Sequence, residues 1–455
     1  VEKEKTRMIY LLNYAISQMG YWVSFLLIPI LVEVIVALAH FFMLLYKTWH
    51  KKPHQPLSFY PYLTIIIPIY NSERTLYQCI AALAESDYQT DRLQIILANN
   101  HTPDQSFDVF QKAQLDFPFL NIQWMNTDAG KARALNSAIY SSSGAYVINI
   151  DSDGYLERHA LAYLVEAFES DPSISAMTGT ILTQKEAIKQ TRSWGLRTLQ
   201  KVEYYEYAQS FLSGRNVEST SNHLFTMAGA FSAFRREVLL ETFLYSIDTV
   251  GEDTDMTFQV RDRLAGKVVL CPDAQFFIDP IESTRQLYTQ RQRWQRGQIE
   301  VTQKFSHKRM QIMDFFKDFM VRRMMVDHTF IFPKMIWIFA TFVLIYLGYP
   351  PKILLISYII IYLLYVFLTL LNHINVFLLL KPFPEERRFF GRLLPYILLV
   401  PLYNFCLSWV RLIGVINTMM VPAAWTVRNQ KQEAEAVKAV VRSDVEVLFR
   451  KREKK

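Results

Sequence analysis

Cysteine is scarce: Cys79, Cys271 and Cys406 are scattered through 455 residues. Their separations fit neither a disulfide framework nor a thiolate metal site, which places the soluble part in a reducing compartment. No internal repeat or low-complexity tract is present, so a repeat array is excluded. The first apolar run is too long for a signal-peptide core and lacks a small-residue cleavage pattern, so it reads as a retained anchor. A nucleic-acid patch is also missing. The net charge is +7, but the basic residues sit beside apolar runs, as the positive flanks of membrane segments do. What is abundant is apolar sequence, at 51% hydrophobic residues and a mean hydropathy of +0.08. It gathers toward both ends, around a middle of globular composition. The pattern is that of an integral membrane protein with an aqueous domain between its membrane segments.

Residues 1–48 form the expected N-terminal anchor. Within them 22–46 are nearly all apolar and are followed by Lys47, His50, Lys51 and Lys52, a basic flank that marks the cytoplasmic end. Glu33 and His40 interrupt this run and are read as snorkelling or neutralised groups. Residues 49–306 form the cytoplasmic domain. Residues 307–326 carry Ile312, Phe315, Phe316, Phe319 and Met320 on one helical face with Lys and Arg around it, an amphipathic helix in the membrane surface. Residues 327–427 form a C-terminal transmembrane region with spans near 329–348 and 353–380. Asn372, His373 and Asn375 inside the second span are expected to bond to a neighbouring helix. The charged tail, 428–455, belongs in the cytoplasm. Three crossings after a cytoplasmic domain would put it outside, so residues 391–425, with Pro395, Pro401 and Arg411, are expected to cross and return or to re-enter.

Between the membrane segments, short β-rich runs at 63–70, 93–98, 122–125 and 145–150 alternate with amphipathic stretches. This predicts a doubly wound α/β fold, a mostly parallel sheet with helices on both faces. Such sheets bind ligands beyond the carboxyl ends of their strands. The run at 147–150 ends there in Asp151-Ser152-Asp153, two carboxylates suited to Mg²⁺ or Mn²⁺ and a diphosphate. Pro68-Ile69-Tyr70-Asn71-Ser72-Glu73 falls at the same edge. Gly130-Lys131 marks a helix start, where free N–H groups favour phosphate. Later come Glu252-Asp253, carboxylates able to accept a proton from an attacking hydroxyl, and Gln290-Arg-Gln-Arg293-Trp294, which pairs guanidinium groups with an aromatic face.

The combination resembles the membrane-integrated family 2 glycosyltransferases of the polysaccharide-synthase type, among them cellulose, hyaluronan and poly-N-acetylglucosamine synthases. The matching stretches are Pro68 to Asn71, Lys131 with Ala134-Leu135-Asn136, Asp151-Ser-Asp153, Gly229 to Arg236, Glu252-Asp253 and Gln290-x-x-Arg293-Trp294. The resemblance implies a GT-A fold and an inverting, metal-dependent hexosyltransferase. Asp151 and Asp153 would contact the UDP diphosphate and metal, Lys131 the nucleotide, and Asp253 would be the catalytic base. Gln290, Arg293 and Trp294, with Glu252, would hold the donor diphosphate and the acceptor sugar. Where the family usually carries Asp-Asp-Gly-Ser to grip the uridine, this chain has Asn99-Asn100-His101-Thr102, whose amides hydrogen-bond without charge. Trp425 and Arg428 resemble a gating segment. The layout also resembles glycosyltransferases encoded with exosortase systems.

The implied partners are a UDP-sugar donor, a polysaccharide or lipid-linked acceptor and membrane lipid, with room for a protein partner and no nucleic acid. The implied location is the plasma membrane, multi-pass, with the catalytic domain in the cytoplasm. Two rival readings stay open: a single sugar transfer to a polyprenyl phosphate, and a non-catalytic nucleotide-sugar-binding partner, which only Asn99-Asn100 favours.

Overall fold

The computed structural model describes residues 33–51, 54, 57, 59–305, 341–346, 348 and 350–420, with 415–420 by backbone alone. The expected surface helix at 307–326, most of the span at 329–348, Trp425, Arg428 and the charged tail lie outside the described residues.

The apolar runs become strands because their β-branched side chains pack on both faces of a buried sheet. They are β1 (Leu63–Ile69), β2 (Leu93–Asn99), β3 (Asn121–Asn126) and β4 (Tyr146–Ile150), joined by β5 (Gly154–Leu156), β6 (Ile174–Thr183), β7 (Phe231–Arg235) and β8 (Lys267–Ile278). Their order in the sheet is β3-β2-β1-β4-β7-β6-β8-β5. The first four are parallel, with Ile65 opposite both Ile95 and Ile148. β7 then enters antiparallel between β4 and β6, while β6 and β8 run parallel. The sheet is therefore mixed, with its parallel half where the sequence places it. Helix α1 (Ile35–Trp49) precedes the sheet. Helices α2 (Leu76–Ala84), α3 (Ser106–Asp116), α4 (Lys131–Tyr140) and α5 (Ala160–Ser170) cover it. Leu76, Cys79, Ile80 and Leu83 of α2 recur at helical spacing and bury against Ile65, Ile67 and Ile69. On the opposite face Leu135 and Ile139 of α4 meet Ile66 and Ile96. Phe231 and Phe234 are fully buried in β7, so the stretch from Gly229 to Arg236 carries core as well as edge.

After β6 the chain forms α6 (Lys185–Gln190) and α7 (Trp194–Ala208), extended by a π-helical turn at Gln209–Arg215, then α8 (Asn216–Thr220), α9 (Arg236–Glu241) after β7, α10 (Glu252–Phe258) and α11 (Thr284–Phe305). The C-terminal part comprises α12 (Pro351–Leu379), α13 (Pro384–Gly391) and α14 (Val400–Met420). At 29 residues, α12 rises about 43 Å, beyond the ~30 Å of a bilayer core. It is the one helix among the described residues long and apolar enough to cross a membrane. Its last turns pack on α7 and α13, with Val376 in one buried cluster with Tyr205 and Phe390. Asn372 accepts from Ser213 Oγ at 2.9 Å as expected, whereas His373 stacks on Phe390 at 4.5 Å, and His373 Nδ1 and Asn375 Oδ1 are buried without a hydrogen-bond partner among the described residues. α14 continues through Pro401 and Arg411 as one helix. The expected reversal is therefore not found within 400–420: Pro401 falls at the helix start, where a missing N–H costs nothing, and Pro395 lies ahead of the helix in a 3-10 turn, Leu394–Leu398.

Candidate active site

β4 delivers Asp151 and Asp153 to the carboxyl edge of the sheet. The Asp151 N–H donates to Ala230 O at 3.1 Å, and Ser152 Oγ bonds Ser72 Oγ at 2.6 Å, which ties the ends of β1, β4 and the approach to β7 together. Lys131 at the start of α4 donates to Asp151 Oδ1 at 2.6 Å. Burial alone would lower the Lys131 pKa, but Asp151, Glu252 and Asp153 hold it above its ordinary value. Burial and the neighbouring Asp151 push Asp153 up to about 6 against the pull of Lys131. The carboxylates here are short of positive charge even with the lysine in place.

The antiparallel entry of β7 has a consequence for the second pair of carboxylates. It carries residues 226–230 across the carboxyl edge onto α10, where Gly229 N–H donates to Asp253 Oδ2 at 3.2 Å and Met227 N–H to Thr257 Oγ1 at 2.9 Å. A Cβ on Gly229 would lie 3.3 Å from that oxygen. Thr254 N–H donates to Asp253 Oδ1 at 2.7 Å, fixing the carboxylate from its other side. Burial pushes Glu252 up to about 7, with Lys131 opposing and Asp253 adding to the shift.

Helix α11 completes the site. Gln290, Arg293, Trp294 and Gly297 share one face at i, i+3, i+4, i+7 spacing, while Arg291, Gln292, Gln295 and Arg296 are buried. Gly297 is where this helix touches the loop before Glu252. A Cβ there would lie 2.8 Å from Gly251 Cα, and one on Gly251 would lie 2.9 Å from Gly297 backbone atoms. Glu300, one turn on, accepts from Thr249 Oγ1 at 3.0 Å and Val250 N–H at 3.3 Å. Two facing glycines and one carboxylate thus set how closely α11 approaches the loop that leads into Glu252 and Asp253.

Lys131, Asp151, Asp153, Glu252, Asp253, Gln290, Arg293 and Trp294 all line one cleft of about 660 Å³, within the usual size of a small-molecule site. Gln290 Oε1 is buried there without a hydrogen-bond partner among the described residues. Pro68, Tyr70, Asn71, Glu73, Asn99 and Asn100 do not line this cleft. They form a neighbouring rim at the ends of β1 and β2, linked to it because Gly130 N–H donates to Asn100 Oδ1 beside Lys131. In that rim Asn71 takes a left-handed φ of 52° and its N–H donates to Thr102 Oγ1 at 2.8 Å. Glu73 N–H donates to Asp104 Oδ2 at 2.9 Å, Tyr70 is exposed, and Asn99 bonds Asn126 at 3.0 Å. Asn99 is thus engaged within the protein. Among the described residues no group of three or more His, Cys, Asp or Glu is arranged to hold a metal ion; Asp151 and Asp153 stand as a pair. Sequence reasoning missed Gly297, Glu300, Glu206, Tyr207 and Arg291. Only Arg291 carried a signal, its place inside the Gln-x-x-Arg-Trp stretch.

The mixed α/β sheet with helices on both faces is GT-A-like, as its solved structural neighbour is. Residues 64–243 match the model of glycosyl transferase family 2. It is similar to the poly-β-1,6-N-acetyl-D-glucosamine synthase of Staphylococcus aureus (strain COL), 25% identical over 305 residues, 66% of this chain and 67% of the relative. The synthase of the same name from Staphylococcus epidermidis is 24% identical over 300 residues, covering 64% and 65%. Among solved structures, a Pyrobaculum calidifontis mannosyltransferase in complex with GDP-Man and Mn²⁺ superposes with a TM-score of 0.55 at 18% identity, over 85% of this chain and 97% of that one.

Proposed function

We propose that the chain is a membrane-embedded, inverting glycosyltransferase that moves a sugar from a UDP-sugar to a growing polysaccharide and passes the product toward the membrane. The observation that carries this is the convergence of Lys131, Asp151, Asp153, Asp253, Gln290, Arg293 and Trp294 on one cleft. The similarity to poly-β-1,6-N-acetyl-D-glucosamine synthases supports an N-acetylglucosamine donor and polymer.

In this reading Asp253, held by Gly229 and Thr254, accepts the proton of an acceptor hydroxyl. The freed oxygen attacks the anomeric carbon of an α-linked donor as its bond to the diphosphate oxygen breaks. One displacement gives a β-linkage and UDP. Lys131 and Arg293 face the charge that develops on the leaving diphosphate, and such fixed charges act most strongly where it grows. Asp151 and Asp153 fit a divalent cation, since they are hard oxygen donors, and burial together with the neighbouring Asp151 raises Asp153. Mg²⁺ or Mn²⁺ bound there would neutralise charge on the diphosphate. The rim of Pro68, Tyr70, Asn71, Glu73, Asn99 and Asn100 serves the nucleoside end, with Asn100 bonded to the loop that carries Lys131. Glu252 and Gln290 border the acceptor, and Trp294, 42% exposed, offers it a stacking face. The apolar length of α12 supports membrane embedding, and the basic flank at Lys47, Lys51 and Lys52 supports a cytoplasmic catalytic domain.

The test is Asp253→Asn in the purified, detergent-solubilised chain supplied with UDP-N-acetylglucosamine. Transfer is expected to fall about 10²- to 10⁴-fold, the usual contribution of a general base, with UDP affinity retained. Full transfer by this variant would refute the assignment of the base.

A further inference from the structure

Arg291 occupies an unspecified place in Gln290-x-x-Arg293-Trp294, yet it is the most buried charge of that stretch, 4% exposed. Its guanidinium carbon lies 4.2 Å from the centre of the Trp294 ring. Tyr207 meets the same indole edge-on at 6.1 Å. Arg291 Nη2 donates to Glu206 Oε2 at 2.6 Å, and that oxygen also accepts the Tyr403 hydroxyl at 2.7 Å. Glu206 and Tyr207 belong to α7, Arg291 and Trp294 to α11, and Tyr403 to α14. Three helices, one of them the last apolar helix described, therefore meet beneath one indole.

The chemistry explains why a charge should be buried here. An indole on an exposed helix face is free to change rotamer, whereas a guanidinium against its surface and an aromatic edge beside it hold its plane. A buried guanidinium in turn requires a counter-charge, and Glu206 supplies it. Glu206 and Arg291 both border the cleft, and Arg291 meets it through the Trp294 ring that it covers.

We infer that Glu206 is a positioning residue for the acceptor: it holds Arg291 against Trp294 and, through Tyr403, makes the plane of the stacking indole depend on how α14 is seated. The inference rests on the reading of Trp294 as the acceptor platform. It gives the apolar region a means of acting on chain elongation without touching the donor.

The experiment titrates the full chain in detergent with a short β-1,6-linked N-acetylglucosamine oligosaccharide, following tryptophan fluorescence, and separately with UDP. Trp294→Phe identifies the part of the signal that belongs to this indole. Loss of one hydrogen bond in Tyr403→Phe is expected to weaken oligosaccharide binding about threefold to tenfold, and loss of the charge in Glu206→Gln roughly tenfold or more. UDP affinity stays within about twofold in Tyr403→Phe, since a net hydrogen bond on the acceptor side does not reach the donor. Glu206→Asp recovers part of the loss. The inference is overturned if both variants titrate like the wild type, if UDP binding weakens by the same factor, or if the wild-type signal survives Trp294→Phe. A wild-type chain that binds the oligosaccharide through Trp294 but turns over no UDP-sugar refutes the transferase reading, and the comparison of titrations still decides this one.

Discussion

Glu203 is a carboxyl group 1% exposed within α7, accepting the Ile281 N–H at 3.0 Å. Burial pushes its pKa up to about 7, against the pull of that hydrogen bond and of Arg291. In the unfolded chain it titrates near 4.5. Between 4.5 and about 7 the folded chain therefore binds a proton that the unfolded chain releases, and stability falls as the pH rises through this window. A displacement of this size corresponds to roughly 3 kcal/mol. Glu203→Gln keeps an acceptor for Ile281 and removes the ionisation, so the variant should lose most of that slope and unfold at a higher temperature than the wild type above about pH 7. Thermal unfolding of both proteins across this range checks it; parallel curves would show that Glu203 ionises freely. Residues of this kind were not legible in the sequence. Asp151, Asp253 and Arg293 stand out because a short local pattern surrounds them, whereas Glu203, Glu206 and Gly297 owe their roles to partners far along the chain. Glu206 and Tyr403 are 197 residues apart.

At the scale of elements, α13 shows how the C-terminal part is fastened to the sheet domain. Phe389 and Phe390 pack against Tyr204 and Tyr205 of α7. Beneath them Glu386, 5% exposed, accepts from Lys185 Nζ and from the Tyr204 hydroxyl, each at 2.5 Å. Glu386→Ala would leave Lys185 largely buried with only the exposed Glu385, at 2.8 Å, and the more distant Glu186, at 3.8 Å, as partners. Stripping one partner from a buried pair costs about 3–5 kcal/mol, and with Glu385 still present the expected loss is about 2–3 kcal/mol. The double variant Lys185→Met, Glu386→Leu should lose less than Glu386→Ala alone, because no unpaired charge stays behind. Denaturant unfolding in detergent measures both, and a larger loss in the double variant would show that packing rather than charge dominates. The parallel strands and the apolar helix were visible in the sequence as short β-rich runs and as one long apolar run. It did not reveal the antiparallel entry of β7, because Phe231 and Phe234 are buried whichever way the strand runs, and strand direction is fixed by the path of residues 221–230 over the sheet edge.

For the molecule as a whole, the question is what covers the apolar sides of α1, α12 and α14. Phe42 and Tyr46 on α1, Ile356, Ile359, Leu363 and Phe367 on α12, and Leu402 and Phe405 on α14 are all exposed, whereas soluble monomers rarely show apolar patches of more than a few hundred Å². A bilayer is the cover most consistent with a 29-residue apolar helix. If so, Leu363 faces lipid near the middle of α12, and Leu363→Lys should disfavour insertion by roughly 2.5–3.5 kcal/mol on the translocon scale. His373 provides the contrast: it is 6% exposed and stacked on Phe390, so His373→Gln near the protein-packed end should insert like the wild type while destabilising the fold. A membrane-insertion assay that reports the fraction of chains crossing at α12 separates the two. Equal insertion of Leu363→Lys and the wild type would mean that protein, not lipid, covers this face.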